Sequence, residues 1–202
     1  MAGTRQALRQ AALEMSLVDG PDAVTVEAIC ERAGVSRRTF FNYFRGKDDA
    51  IVGWSAAEGA RCVAIIVERP PGEAGLEVVE AAVGDLMDAT VSSPFWLRLV
   101  GLLRDRPEMV DRVAAVAGRL EEFLCAGLAE RTGRPPSDPW VVLLAGTGVV
   151  ALRVSLARWT DAPPGTDARA LLRETFDVVR GGLRIDAVDQ PRSQATTAPR
   201  TS

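Results

Sequence analysis

Proline and glycine punctuation limits what this chain can fold into more than any other feature. Breakers fall at Gly20-Pro21, Gly34, Gly46, Arg69-Pro70-Pro71-Gly72, Pro94, Pro107, Thr132 to Pro136, Pro139 and Pro163-Pro164-Gly165. Proline is tolerated in the first turn of a helix and glycine just past its end, so these residues mark starts and stops. Between them lie segments of helical length with apolar residues on one or more faces, and no alternation long enough for a strand. The pattern predicts an all-α chain of about nine helices. They span 4–18, two short segments within 25–46, then 47–68, 74–91, 93–104, 107–131, 138–159 and 167–184. Beyond Asp186 the residues are mostly Gln, Pro, Ser, Thr and Arg. Such a segment cannot bury enough apolar surface to order itself, so 186–202 reads as a disordered tail.

The stretch from Thr25 to Lys47, TVEAICERAGVSRRTFFNYFRGK, reads as two short helices joined by a tight turn. Thr25 and Ser36 suit N-caps, because their side-chain oxygens can accept from unpaired N–H groups at a helix start. Gly34 can take the left-handed conformation that ends the first helix, with Val35 packing inward behind it. The second helix, expected to run about eight residues, buries Phe40 and Phe44. It turns Arg37, Arg38, Phe41 and Asn42 the other way. From Arg32 through Lys47 the charges are Arg32, Arg37, Arg38, Arg45 and Lys47, with no acidic side chain among them, although the whole chain is at −3. A local basic patch on a helix-turn-helix is what docking in a major groove requires.

Composition excludes other classes. In 202 residues, 47% apolar and 25% charged, there is ample material for a globular core. Met1 to Gln10 is polar and leads into no apolar run of the kind a signal peptide carries. The uncharged run Trp140–Leu152 is shorter than the roughly 20 residues a bilayer requires, so the sequence predicts a buried helix, no membrane partner and a cytoplasmic protein. Cys30, Cys62 and Cys125 are far apart, and there is no histidine. Neither a metal site nor a cofactor is expected. With no histidine, no phosphate loop and no G-x-S-x-G, no catalytic residue is expected and an enzyme is disfavoured.

The string TVEAICERAGVSRRTFFNYFRGKDDAI resembles the DNA-binding head of TetR/AcrR-family transcriptional regulators. Thr25, Ile29, Ala33, Gly34, Val35, Ser36, Thr39, Phe44 and Lys47 match that family's pattern, and Arg5, Leu8, Ala11, Ala12 and Gly20 fit its first helix. The departures are Cys30 for alanine, Ser16 for an aromatic, and Phe41 where a tyrosine usually meets a phosphate. The resemblance covers roughly residues 4–54. It implies a helix-turn-helix head, residues 1–46, on a larger helical ligand-binding and dimerisation core, residues 47–185. The function implied is sequence-specific regulation, with a repressor leaving a palindromic operator on double-stranded DNA when a small, largely apolar effector binds the core. The alternative is a ligand-binding or protein-interaction module on the same fold without operator binding.

Roles can then be assigned by residue. Arg37, Arg38, Thr39 and Asn42 are expected to face base edges, whereas Thr25, Tyr43, Lys47 and Arg5 would hold phosphates. The resemblance implies an inducer pocket in the core, for which the candidates are Leu86, Met87, Phe95, Trp96, Leu99, Leu103 and Phe123. The last two helices are apolar on more than one face, so each needs two surfaces to bury against. Either both faces are satisfied within one chain or, as the resemblance implies, the two helices form a homodimer interface, from Ala145, Val149, Leu152, Leu156 and Trp159 on one helix and Leu172, Phe176, Val179 and Leu183 on the next. A second, partly apolar side carries Trp140, Leu144, Ala151, Leu171 and Val178. Gly146 and Gly148 would let a partner backbone approach.

Overall fold

Thr25 Oγ1 accepts from the N–H of Ala28 at 3.2 Å and Ser36 Oγ from that of Thr39 at 3.2 Å, so both expected caps start helices. The computed structural model describes residues 2–52, 56–105 and 109–182, and within them the side chains other than those of residues 2, 56, 100 and 103–117. Ten helices and no strand are found among these residues: α1 (Ala2–Asp19), α2 (Val26–Ala33), α3 (Arg37–Phe41), α4 (Lys47–Val52), α5 (Ala56–Glu68), α6 (Gly75–Ser92), α7 (Pro94–Asp105), α8 (Met109–Thr132), α9 (Pro139–Asp161) and α10 (Ala168–Arg180). The all-α expectation holds, and most boundaries fall within a few residues of the punctuation. The helix expected over 47–68 is described as α4 and α5, with 53–55 outside the described residues; so is the expected tail at 186–202.

The expected eight-residue second helix is shorter: α3 has five residues. Past it, the Phe40 carbonyl accepts from both Tyr43 N–H (2.9 Å) and Phe44 N–H (3.0 Å). This tightened turn carries Phe44 round to the same buried side as Phe40.

α1 packs on α2 and α4, and α4 packs in turn on α8, so α4 joins the head to the core. Asp49 of α4 fixes that joint. Its carboxylate accepts from Arg119 Nη1 of α8 at 2.8 and 2.6 Å, and from the Arg45 backbone N–H at 2.9 Å. A buried carboxylate satisfied on both oxygens costs far less than an unpaired one. In the core, α6 lies against α5, α7, α9 and α10. Gly148 of α9 sets one of those spacings: a Cβ there would stand 2.4 Å from Val79 Cγ1. It serves this intrachain contact, not the expected partner, whereas a Cβ at Gly146 would meet nothing within 4 Å.

α9 is long and apolar enough, by length and composition, to cross a membrane, and only 33% of its most apolar stretch is buried within the chain. Its packing on α6, α8 and α10 covers one side and leaves the other open.

Candidate nucleic-acid interface

The turn between α2 and α3 is built from its sequence. Gly34 adopts φ 67°, ψ 34°, its N–H bonding Glu31 O at 3.1 Å, while Val35 N–H bonds Cys30 O at 3.0 Å. These paired bonds satisfy the last carbonyls of α2 and need a left-handed residue between them, which glycine supplies without a Cβ penalty. α3 leaves that turn with Phe40 fully buried and Phe44 nearly so, their rings 5.4 Å apart. Once the two phenylalanines are inside, helical geometry turns Arg37, Arg38 and Asn42 outward, and all three are exposed.

Of the residues expected to read bases, Arg38 projects from the exposed edge of α3. Arg37 Nη1 pairs with Glu27 Oε1 at 2.9 Å, and its guanidinium lies 5.9 Å from the Phe41 ring centroid. Both partners of that pair are well exposed, so the link is weak and readily exchanged for a phosphate or base. Thr39 is half-buried, with its hydroxyl 3.0 Å from Ser36 Oγ. Phe41 is 51% exposed beside these groups and offers an apolar face without a hydroxyl.

The residues expected at phosphates divide. Thr25 is exposed at the start of α2, its hydroxyl oxygen engaged as a cap. Tyr43 is half-buried with its ring 6.5 Å from that of Phe44. Arg5 lies over Phe44 at 5.2 Å, and partial burial lowers its pKa. Lys47 requires a correction. Its ammonium donates to the carbonyls of Pro21 (3.0 Å), Asp22 (3.2 Å) and Val24 (2.9 Å). An ammonium has three donors. Spent in this way, they clasp the α1–α2 loop to the start of α4 instead of reaching outward.

The pocket and dimer expectations fare differently. Leu86, Met87 and Leu99 are buried as core, Trp96 is 8% exposed, and Phe95 and Phe123 are half-buried; Leu103 lies outside the described side chains. Two open polar clefts are described. One, of about 340 Å³, lies between the start of α4 and α8 and is lined by Arg45, Asp49 and Arg119 among others. The second lies along α6 beside Arg69 and Arg169. Neither is lined by an expected pocket residue.

The expected dimer stripe is corrected for its buried members. Ala145, Leu152, Leu172 and Phe176 are buried within the single chain, and Val149, Leu156, Trp159 and Val179 are half-buried. Trp159 Nε1 donates to Thr166 O of its own chain at 3.2 Å. The more apolar side of each helix is consumed where α10, α9 and α6 meet. Leu183 lies outside the described residues. The apolar side left open carries Trp140 (40% exposed), Leu143 (71%) and Val150 (50%) on α9, and Val178 (59%) on α10. Trp140 and Val178 belong to the second side read from the sequence. Leu143 and Val150 were missed, although i, i+3, i+10 from Trp140 is a legible helical stripe.

Similarity to known proteins agrees with this architecture. Residues 8–50 match the family described as bacterial regulatory proteins, tetR family, and residues 73–184 match the MftR C-terminal domain. The HTH-type transcriptional regulator TcmR of Streptomyces glaucescens is 32% identical over 135 residues, 61% of this chain and 59% of that protein, so the match spans less than two thirds of the relative's length. Thermus thermophilus FadR, a TetR-family repressor solved with lauroyl-CoA, superposes with a TM-score of 0.51 at 20% identity, covering 94% of this chain and 100% of that one. Bacillus subtilis FadR, solved with stearoyl-CoA, gives 0.50 at 15% identity over 89% and 99%. At these identities the structural likeness speaks to the fold. The matched domains extend over both the helix-turn-helix and the helical core, and the chain belongs to the tetR family of bacterial regulatory proteins.

Proposed function

We propose that this protein is a transcriptional regulator that binds a palindromic operator as a homodimer and is released when a small molecule occupies its core. It is a DNA-binding switch, not an enzyme, acting in the cytoplasm, with residues 1–46 as the reading head and 47–185 as the sensing and pairing core. One observation carries the reading: α3 and the turn after it bury Phe40 and Phe44 while Arg37, Arg38 and Asn42 stand exposed. A cationic helix start anchored by two buried rings can enter a major groove without disturbing the head. Arg38 is the leading base-reading candidate, because its guanidinium can bond two acceptors of guanine. Arg37, Thr39 and Asn42 flank it, while Thr25, Tyr43 and Arg5 are the candidates for phosphates.

The second head is supplied by a partner copy docked on the open apolar side of α9 and α10. Trp140, Leu143, Val150 and Val178 form the patch, and a two-fold axis pairs each helix with its copy. That pairing sets the spacing of two half-sites along the duplex. The release step draws support from the two FadR relatives, whose structures hold acyl-CoA molecules. In this chain the sensing surface is assigned to the α6–α8 region around Phe95, Trp96 and Phe123. Selection from a random duplex library by the full chain tests the reading. Enrichment of an inverted repeat is expected, and enrichment of nothing above background contradicts it.

A further inference from the structure

One turn beyond Arg5 on α1, the Arg9 side chain turns inward to the junction between head and core. It is 8% exposed. Its guanidinium lies 4.2 Å from the ring centroid of Phe95 and 5.1 Å from that of Trp96, both at the start of α7. Nη1 stands 3.7 Å from Glu58 Oε2 on α5. Among the described residues, the buried Nε and Nη2 have no hydrogen-bond partner.

This is an unusual way to hold a charge. The two rings attract the cation through their faces. Yet each buried donor without an acceptor has given up its hydration for nothing. Burial accordingly pushes the Arg9 pKa down to about 10, with Glu58 opposing the shift. The joint at α4 differs in kind: Asp49 and Arg119 satisfy each other, and Arg45, just ahead of α4, pairs with Glu122 of α8 at 3.5 Å. Glu14 and Arg98, 3.8 Å apart and in part exposed, add a loose third link between α1 and α7. The junction therefore has one settled contact at α4 and one costly contact at α1. A small displacement of α7 that admits water to Nε and Nη2 would restore their hydration, offsetting part of what is lost at the two rings.

We propose that Arg9 is the transmission residue between core and head: movement of α7 reaches the helix-turn-helix through the seating of Arg9 on Phe95 and Trp96. The proposal rests on the regulator reading above and adds the route by which the core acts on the head. On the head side the route is short, because α1 packs on α2 and Arg5 of the same helix lies over Phe44, just past α3. A two-position contact that both regions bias is what coupling requires physically.

The test uses the full chain and needs no effector. Leu99 lies on α7 one turn beyond Phe95 and is 1% exposed, so Leu99→Ala disturbs α7 from within the core. Amide hydrogen exchange is read in peptides covering α1 to α3, with and without Arg9→Met. Methionine keeps an unbranched apolar stem on the two rings but removes the charge and its unpaired donors. Leu99→Ala is expected to speed head exchange about tenfold or more when Arg9 is intact and less than about threefold when combined with Arg9→Met. Equal acceleration in both backgrounds means that Arg9 only packs, and no acceleration in either means that α7 does not reach the head; each overturns the proposal. If circular dichroism shows that Leu99→Ala is unfolded, Leu99→Val is judged by the same criterion. In a second arm, Leu99→Ala weakens binding to a library-selected duplex when Arg9 is intact and leaves it unchanged in the Arg9→Met variant. Failure to select any duplex strikes the DNA-binding reading alone, and the exchange result still decides the role of Arg9.

Discussion

α3 and α9 bury themselves by opposite means. α3 has five residues, and beyond its end only Phe44 joins Phe40 in the core, leaving two arginines and an asparagine no inward place to go. α9 has 23 residues and apolar side chains all round. Val141, Ala145 and Leu152 face its own chain, whereas Leu143 and Val150 face outward. In α3 the cost of burying a charge fixes which side faces water. In α9 no charge interrupts the run from Trp140 to Leu152, so neighbouring helices, not the helix itself, decide which apolar side is core.

The sharpest way to break this contrast is to empty the two sides of α3 separately. Phe40→Ala should cost about 3–5 kcal/mol in urea unfolding, because a fully buried aromatic leaves a cavity. Phe41→Ala, at a half-exposed site whose ring meets Phe40 edge-on at 5.3 Å, should cost no more than about 1.5 kcal/mol. Equal costs would erase the contrast between the two sides, and a larger cost at Phe41 would mean that the ring assignment is reversed. On α9 and α10 the same logic separates folding from pairing. Leu172→Ala should cost about 2–5 kcal/mol of chain stability, whereas Leu143→Ala should cost little. Leu143→Asp should convert a dimer to a monomer in sedimentation while the helical signal persists. A dimer that survives it sinks the open side as the interface.

The fold was legible because breakers and caps act locally. Thr25, Gly34 and Ser36 do in the structure what their side chains permit anywhere, and the helix boundaries followed from such residues. The orientation of α3 was legible for the energetic reason given above. What could not be read were choices made by distant residues. Leu172 and Phe176 turn out to be core because α6 and α9 arrive on that side, and nothing between 168 and 180 encodes that arrival. Lys47 was expected at a phosphate because it ends the basic stretch and matches the family's pattern. Its three acceptors are the carbonyls of Pro21, Asp22 and Val24, more than twenty positions away. Arg9 gave no signal at all, since its partners Phe95 and Trp96 lie on another helix of another region.

Lys47 yields a smaller, sharper prediction. Lys47→Met should destabilise the head by about 1.5–3 kcal/mol, the usual worth of hydrogen bonds made by a charged donor. The salt dependence of duplex binding should be unchanged, whereas loss of a phosphate contact shifts the slope by about one unit. A shifted slope with unchanged stability would return Lys47 to the DNA.

The central claim is that the exposed edge of α3 reads base pairs. Titrating a library-selected duplex and a scrambled duplex with wild-type chain and with Arg38→Ala, at two salt concentrations, tests it most directly. The account predicts a loss of about 1–3 kcal/mol on the selected duplex and a much smaller loss on the scrambled one at both salts. Equal losses on the two duplexes, or no loss on either, would contradict it.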